Sequence, residues 1–413
     1  MAVPLPQRRL AVRALLLARL ALLATLILPA GCQRTDPAAL ERFVDAHWAD
    51  PLPPQGAPPP SFSALEASLS PQACGQCHPA QWRDWQTSLH SRSVGPGLTW
   101  QLHLLDQGRA NRCLRCHAPL AEQKALLARE HGWPAQPAGP PPAYVEATLA
   151  HQGLVCAACH VRGHRRYGPP ARTRADASSH DGFVATDGFS DSRFCAACHQ
   201  FQNDGPRVAG KLHEDTYAQW QASGMAGGQS CQSCHMPDRR HLWRGIHDAE
   251  MTRRAIDVQL TVEAVAPGRF EARATVRNIG AGHHFPTYMV PKVELQFVRV
   301  ERDGRTTELG RQVIGWSVDT AITREIEDTR IPAGQSRRFV QRFDAPAAAG
   351  WSVELRISVH PGEHYERTFR DSLARAQRLP AAARPLLEEA LRRVQATRYE
   401  LMRLRQRPNG NGS

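Results

Sequence analysis

The chain has 413 residues, a formal net charge of +12, 11 cysteines and 19 histidines, and 42% of its residues are hydrophobic. This length suffices for two or three domains with substantial cores. The apolar content excludes a disordered chain. Because the only long apolar stretch lies at the N-terminus, the sequence also excludes a later membrane span.

The first 31 residues have the layout of a secretory signal peptide. A basic region with four arginines precedes an apolar run from Leu20 to Leu28. A retained transmembrane anchor is the alternative, but it requires about 17–25 apolar residues, and Arg13 and Arg19 interrupt the stretch. We therefore expect residues 1–31 to be removed and the mature protein to be exported to the periplasmic side.

Cys32 follows Leu28-Pro29-Ala30-Gly31, which resembles the lipobox of bacterial lipoproteins. Pro29 stands where such proteins normally carry leucine. If Cys32 is acylated, it becomes the first mature residue and anchors the protein to the membrane. The alternative is an unmodified thiol near an ordinary cleavage site, and we expect acylation.

The remaining sequence divides into four segments that together predict an α+β multidomain fold. Residues 32–70 are polar and proline-rich, which is typical of an extended spacer. Residues 71–254 contain the other ten cysteines in a mostly helical, loop-rich pattern. Residues 255–370 alternate apolar and polar residues between turns, which predicts an antiparallel β-sandwich. Residues 371–413 are expected to form a C-terminal helix and tail.

Local patterns predict individual elements within these segments. Ser70-Pro71 is a typical helix start, and Trp82, Trp85 and Leu89 would share one face of the helix that follows. On the C-terminal helix, Leu387, Leu391, Val394 and Leu401 would share one side. Alternation predicts strands at residues 256–262, 270–276, 293–300, 337–343 and 353–359.

The sequence Cys-x-x-Cys-His occurs five times, whereas this composition predicts about 0.01 chance occurrences. It is the attachment motif of c-type haem, in which both thiols bond the haem and the histidine ligates its iron. Zinc sites, redox-active cysteine pairs and disulfides are the alternatives, but none explains a histidine after every pair. The sequence thus predicts five covalently bound haem c groups, held by these sets: Cys74, Cys77 and His78; Cys113, Cys116 and His117; Cys156, Cys159 and His160; Cys195, Cys198 and His199; Cys231, Cys234 and His235.

Five haems would dominate the region that holds them. Residues 71–250 are too few to wrap each haem separately, so the haem faces must form the core, and we expect no folding without haem. The haem propionates would also offset most of the positive charge that remains once residues 1–31 are removed. Nucleic acid is therefore not an expected partner.

The second axial ligands must come from histidines outside the motifs. His90 follows the first motif on a predicted helix, and His241 and His247 follow the fifth. His283 lies in a loop of small residues between two predicted strands. Because five irons need partners, these four are the expected distal ligands, and the secondary candidates are His151, His164, His213 and His284.

Several features resemble the multihaem c-type cytochromes related to cytochrome c-554 and the hydroxylamine oxidoreductase group: the motif order, the Trp85, Ser88 and His90 segment, Cys231 to Pro237, and the Gly282-His283 loop. The resemblance covers roughly residues 71–300. It implies haems that stack closely into an electron-conducting chain, mostly with two histidine ligands each. The appended β-domain, and five haems rather than four or eight, depart from that group.

The expected function is single-electron transfer between redox-partner proteins of the cell envelope. The alternative is an oxidoreductase in which one haem lacks a distal protein ligand and binds a small nitrogen or sulfur compound. A third hypothesis makes the β-domain an adhesion or assembly module. The sequence identifies no catalytic residue, because distal ligation depends on the folded structure.

Overall fold

The computed structural model describes residues 36–135, 137, 139–170, 183–346 and 350–408. The predicted signal peptide and Cys32 lie outside the described residues, so both stay predictions. The chain divides into two compact units between Arg42 and Phe43, and the second unit contains all five motifs and every sheet described below. No helix in the described ranges is long and apolar enough to cross a membrane.

Short helices dominate the sequence up to residue 255. Each of the five motifs forms part of one of them, which places its two cysteines three residues apart on one helix face. The described helices are α1 (Pro37–His47), α2 (Ala64–Ala67), α3 (Pro71–Cys77), α4 (Pro79–Thr87), α5 (Pro96–Leu102), α6 (Gln107–His117), α7 (Ala121–Glu130), α8 (Cys156–His160), α9 (Arg193–His199), α10 (Thr216–Gln221), α11 (Cys231–His235), α12 (Ala249–Ala255), α13 (Glu363–Ala374) and α14 (Ala383–Gln395).

The start of α3 follows the sequence prediction, whereas the end of α4 does not. The Ser70 hydroxyl accepts a hydrogen bond from the Gln72 amide at 3.2 Å, and Pro71 is the first helical residue. Helix α4 ends at Thr87 because Ser88 has extended backbone and its hydroxyl donates to the Trp85 carbonyl. Leu89 therefore lies beyond the helix and is 51% exposed, so its predicted place beside Trp82 and Trp85 was wrong.

The strands lie mostly between residues 256 and 406. Short pairs occur earlier, between the third and fifth motifs. The described strands are β1 (Val161–Arg162), β2 (Arg165–Gly168), β3 (Val184–Ala185), β4 (Arg207–Val208), β5 (Lys211–Leu212), β6 (Ile256–Ala266), β7 (Arg269–Asn278), β8 (Lys292–Val300), β9 (Thr306–Ile314), β10 (Trp316–Val318), β11 (Glu325–Asp328), β12 (Ser336–Asp344), β13 (Ser352–His360) and β14 (Tyr399–Gln406).

The long strands form a β-sandwich. One antiparallel sheet has the order β12-β7-β6 and the other the order β14-β13-β8-β9. Alternate residues of both sheets, among them Val262, Ala274, Phe297 and Leu355, are fully buried in one core. The predicted α+β fold class is confirmed, and all five predicted strands are present.

The C-terminal segment corrects one sequence prediction. Helix α14 ends at Gln395, and the chain returns to the sandwich as β14, which pairs with β13 along its length. Leu401, predicted on the helix, is buried in this strand. Residues 399–406 alternate apolar and charged side chains, and the free edge of β13 decides between helix and strand.

The proline-rich segment is packed against the motif region over its described length after Trp48. Leu52 is buried in the same cluster as Trp85 and Leu149. The backbone N–H of Gln55 donates to the Glu122 carboxylate at 2.7 Å. This part of the predicted spacer therefore belongs to the folded unit, while the spacer's role near a membrane remains a prediction.

Candidate haem-binding sites

Cysteines of different motifs meet in the structure. The ten motif cysteines are free thiols. Both cysteines of the fourth motif contact another motif, so this motif lies between the second and the fifth. The thiol pairs are Cys74 with Cys156, Cys116 with Cys198, and Cys195 with Cys231.

Three motif histidines face a histidine from another part of the chain, and the separations agree closely. A bond from imidazole nitrogen to a metal is about 2.0–2.1 Å, so two rings on opposite sides of one metal have centroids about 6.3 Å apart. All three pairs therefore fit two axial ligands of one iron. The pairs and their centroid separations are His160 with His241 at 6.0 Å, His199 with His90 at 6.3 Å, and His235 with His283 at 6.4 Å.

Backbone carbonyls orient most of these rings. Such a bond fixes the ring and leaves Nε2 available to a metal, as is typical of metal-binding histidines. The Nδ1 atoms lie 2.5–2.9 Å from carbonyl oxygens in five cases: His117 with Ser93, His160 with Tyr167, His235 with Arg244, His241 with Arg239, and His283 with His284.

Burial favours the neutral form of three of the facing histidines. Burial lowers the pKa of His90 to about 3 and those of His160 and His283 to about 4. The same rings keep part of their surface accessible, which is expected of side chains that line an internal space. Neutral imidazoles with a free nitrogen in such a space are the donors that haem iron takes.

The helices next to the fifth motif also require a further group to cover them. Helices α10 and α11 contain no buried residue, although short helices depend on tertiary packing for their stability. A haem has a large apolar face, so a haem attached at Cys231 and Cys234 would provide the missing contact. The residues present therefore fit the predicted cofactor.

His90 is positioned by a glycine that sequence reasoning missed. The His90 carbonyl accepts from the Leu154 amide at 2.8 Å, and Trp85 donates from its indole to the Leu154 carbonyl, also at 2.8 Å. Gly153 has φ +69°, and a Cβ there would lie 2.3 Å from the His90 carbonyl oxygen. Only glycine permits this approach.

His241 is held by Asp84, which sequence reasoning also missed. The buried Asp84 carboxylate accepts two bonds from the Arg240 guanidinium, at 2.6 and 2.7 Å, and one from the His241 amide at 3.1 Å. Hydrogen bonds from Arg240 lower the pKa of Asp84. Helix α4 thereby fixes the segment that follows the fifth motif.

His283 is held by Asn278 at the end of β7. The fully buried Asn278 amide donates to the carbonyls of His283, at 2.8 Å, and Ile331, at 3.1 Å, and its oxygen accepts from the Ala281 amide. In the sequence, the only sign of this role is a polar residue, Asn278, at the end of a strand of alternating pattern. The β-sandwich thus contributes a predicted axial ligand to the motif region.

Trp243 lies between two of the non-motif ligands. Its ring contacts that of His90 edge-on with centroids 4.7 Å apart, and that of His241 with centroids 5.1 Å apart. The indole therefore packs two predicted distal ligands against each other.

The other predicted ligands have different surroundings. The contacts of His78 do not all lie within the described residues, so its axial partner is not assigned. His117 faces no histidine ring at such a separation within the described ranges. His247 is exposed and interacts electrostatically with Arg92; it stays a prediction.

The secondary candidates have different surroundings. His151 pairs with the Glu130 carboxylate at 2.7 Å, and His164 Nε2 lies 3.0 Å from the Gly56 carbonyl oxygen. His164, His213 and His284 each have one buried ring nitrogen without a partner in the described structure. Within the described ranges, no three His, Cys, Asp or Glu side chains could hold a metal ion, and a haem iron requires only two axial ligands.

Most of the chain is similar in structure to a solved cytochrome. A penta-heme cytochrome c552 from Thermochromatium tepidum aligns with a TM-score of 0.56 and 19% identity, over 83% of this chain and 99% of that chain. This similarity shows that the chain has a multihaem cytochrome fold. A structural-genomics target, SoR45, aligns with a TM-score of 0.17 and 14% identity, over 25% of this chain and 73% of that chain, which is too low to support an argument. No family model and no curated protein matches the sequence.

Proposed function

We propose that this chain is a pentahaem c-type cytochrome that transfers single electrons between redox-partner proteins. The observation that carries the proposal is the set of three facing histidine pairs, each containing one motif histidine, at 6.0–6.4 Å. A bound haem supplies reversible one-electron chemistry. The name of the similar structure, a penta-heme cytochrome, supports the same cofactor and the same number.

The chain's own residues hold the group, bury it and set its surroundings. In each set, the two thiols would form the covalent attachment and the motif histidine would ligate the iron. His90, His241 and His283 would supply the second histidine ligand at the fourth, third and fifth sites. Because thiols of neighbouring motifs touch, the attachment points of successive haems lie side by side, as electron transfer over short distances requires.

The cellular setting is part of the proposal. Removal of residues 1–31 and acylation of Cys32 would leave the protein anchored on the periplasmic side, where haem attachment to cysteines takes place. Kinship with the cytochrome c-554 and hydroxylamine oxidoreductase group is proposed on the motif resemblance alone. Mass spectrometry of the mature N-terminus tests the acylation of Cys32.

The haem content is tested with protein from a host that attaches c-type haem. Intact mass and the pyridine haemochromogen spectrum should both give five haems per chain. A Cys195→Ser, Cys198→Ser double variant should lose one haem and keep four. Fewer than five covalent haems in the unaltered chain contradicts the proposed cofactor content.

Electron transfer is tested on the same preparation by reductive titration. The five-haem protein should accept five electrons per chain and pass them to an added one-electron acceptor such as ferricyanide. Haems that are reduced but fail to reoxidise with the acceptor contradict a carrier role.

A further inference from the structure

A cavity of about 320 Å³ lies where the motif region meets the C-terminal helix α14. Its wall is formed by the turn that follows His90, by α5, by the end of α7 and by one face of α14. The motif cysteines, the motif histidines and the histidines that face them are not among the residues that line it. The volume is about ten times the share of one water molecule in the liquid. The cavity is therefore separate from the haem sites and large enough for a small organic molecule.

Two imidazoles in the cavity wall have ring nitrogens available to a ligand. The His103 and His131 rings meet edge-on with centroids 4.8 Å apart, and the His131 ring stacks on Trp133 with centroids 4.8 Å apart and an interplanar angle of 15°. Neither imidazole has a hydrogen-bond partner among the described residues. Ring packing thus holds both side chains in place, while their nitrogens can bond a molecule in the cavity.

Arg92 adds a positive charge that is not offset by a carboxylate. Its Nε donates to the Ser88 carbonyl at 3.3 Å and its Nη2 to the Thr87 carbonyl at 2.9 Å. The structure shows no ion pair of Arg92 with a described residue. Carbonyl groups satisfy the guanidinium as hydrogen-bond acceptors but carry no net charge, so positive charge remains in the cavity wall.

The carboxylate in the cavity wall is already paired. Glu130 lies 2.7 Å from His151 Nε2. Arg393 of α14 pairs with Glu389 at 2.7 Å, and its side chain is 60% exposed. The lining residues thus combine Arg92, Arg393 and three imidazoles with one carboxylate. This excess of positive charge and of unused hydrogen-bond donors favours an anion.

We propose that this cavity binds a small organic dicarboxylate. Arg92, His103 and His131 donate hydrogen bonds to its carboxylate oxygens from the motif region, and Arg393 attracts its negative charge from α14. Two carboxylates suit the site because positive charge comes from two separate parts of the chain, and because the volume exceeds that of a single small ion. The site lies apart from the haems and gives the protein a binding function beyond electron transfer.

The ligand class is tested by calorimetric titration of the full-length haem-loaded protein, with succinate as the probe. Succinate should bind one site per chain with a dissociation constant below about 1 mM at pH 7. Acetate carries one carboxylate and should bind at least about tenfold more weakly. The absence of saturable succinate binding up to about 10 mM overturns the site. Inorganic phosphate or acetate binding as tightly as succinate overturns the dicarboxylate as its ligand.

The donors are tested by substitution in the same titration. His103→Ala, His131→Ala and Arg92→Gln should each weaken succinate binding about tenfold, the effect of one hydrogen bond to a charged group. Arg305→Gln is the matched control, because it removes an arginine that is 81% exposed in a turn of the sandwich, and it should have no effect. An unaltered haem absorption spectrum shows that each variant has folded. Affinity within about twofold of the unaltered protein in both His131→Ala and Arg92→Gln overturns the site.

The pH dependence of succinate binding distinguishes the imidazoles from neutral donors. Burial, and next the neighbouring His103, lower the pKa of His131, whereas a bound anion favours the protonated ring. The other charged or titratable groups of the wall are Arg92, His103, Glu130, His151 and Arg393. The arginines and the carboxylate keep their charge between about pH 8 and pH 6, so only the imidazoles gain positive charge as the pH falls.

Succinate affinity should therefore rise at least about threefold from pH 8 to pH 6 in the unaltered protein. The rise should be smaller in His131→Ala, while Arg305→Gln should match the unaltered protein. An affinity that stays constant or falls as the pH is lowered overturns the role of the imidazoles as donors to the anion.

Discussion

The motif region and the β-sandwich stabilise themselves in different ways. In the described structure, the sandwich has one continuous cluster of 21 buried hydrophobic residues drawn from both sheets. The main hydrophobic clusters between Leu52 and Val161 contain ten residues each, and from the start of α9 to the end of the fifth motif only Phe194, Val208 and Leu212 are buried hydrophobics. Burial of side chains accounts for the sandwich, whereas the motif region buries fewer side chains of its own, as we expect where the apolar faces of haem complete the core.

The motif region and the β-sandwich should differ most in protein that lacks haem. In full-length protein made in a host that does not attach haem, we expect the helical circular dichroism signal to fall while strand signal remains. The helices are short, and α10 and α11 bury no residue of their own. Helical content equal to that of the haem-loaded protein would show that the motif region folds without haem.

A core substitution in the sandwich should have the opposite pattern. Phe297 is fully buried between the sheets, and Phe297→Ala should lower the free energy of unfolding by about 3–5 kcal/mol. The haem absorption spectrum at 20 °C, well below unfolding on the order of 45–65 °C for such domains, should not change. Val265→Ala, at a position 54% exposed, is the matched control and should have little effect in chemical denaturation. A large change in the haem spectrum of Phe297→Ala, but not of Val265→Ala, would mean that the stability of the motif region depends on the core of the sandwich.

His283 is the point at which the two regions depend on each other. His283→Ala should convert one low-spin haem to high-spin, because the loop loses the ring that faces His235. Asn278→Ala keeps that ring but removes its buried support, and should destabilise the protein by about 1–3 kcal/mol. EPR and denaturant unfolding check the two effects. Unchanged low-spin signals in His283→Ala would exclude this residue as a ligand.

The smallest expected effect concerns Asp84. Hydrogen bonds from Arg240 lower its pKa, so the ionised form is favoured in the folded state. The resulting stability is present above the ordinary carboxyl pKa and is lost as pH falls through the lowered value. Asp84→Asn should lower the free energy of unfolding at pH 7 by only about 1 kcal/mol, because the partner Arg240 is largely exposed. In the variant, this free energy should fall less steeply as the pH is lowered. The same pH dependence in the variant and the unaltered protein would show that ionised Asp84 does not stabilise the fold.

The sequence predicted the features that depend on local pattern. Ser70 as a helix cap, the five alternating strands and the motif sets all follow from residues close together in the chain. His90, His241 and His283 were predicted because five haem irons need axial ligands beyond the motif histidines, and the structure places all three opposite motif histidines. Which histidine faces which motif could not be predicted, because each pair joins residues 48 to 109 positions apart in the sequence.

The remaining features depend on tertiary contacts. Leu401 lies on a strand only because the edge of β13 is free to pair with it. Gly153, Asp84 and Asn278 act on ligand backbones far away in sequence.

The central claim is that facing histidine pairs are axial ligands of covalently attached haems. Low-temperature EPR of the oxidised full-length protein, with the haem count measured on the same sample, tests it most directly. The account predicts five haems and low-spin signals from at least three, with two histidine ligands each. Covalent haems that are predominantly high-spin, or a chain without covalent haem, would contradict it.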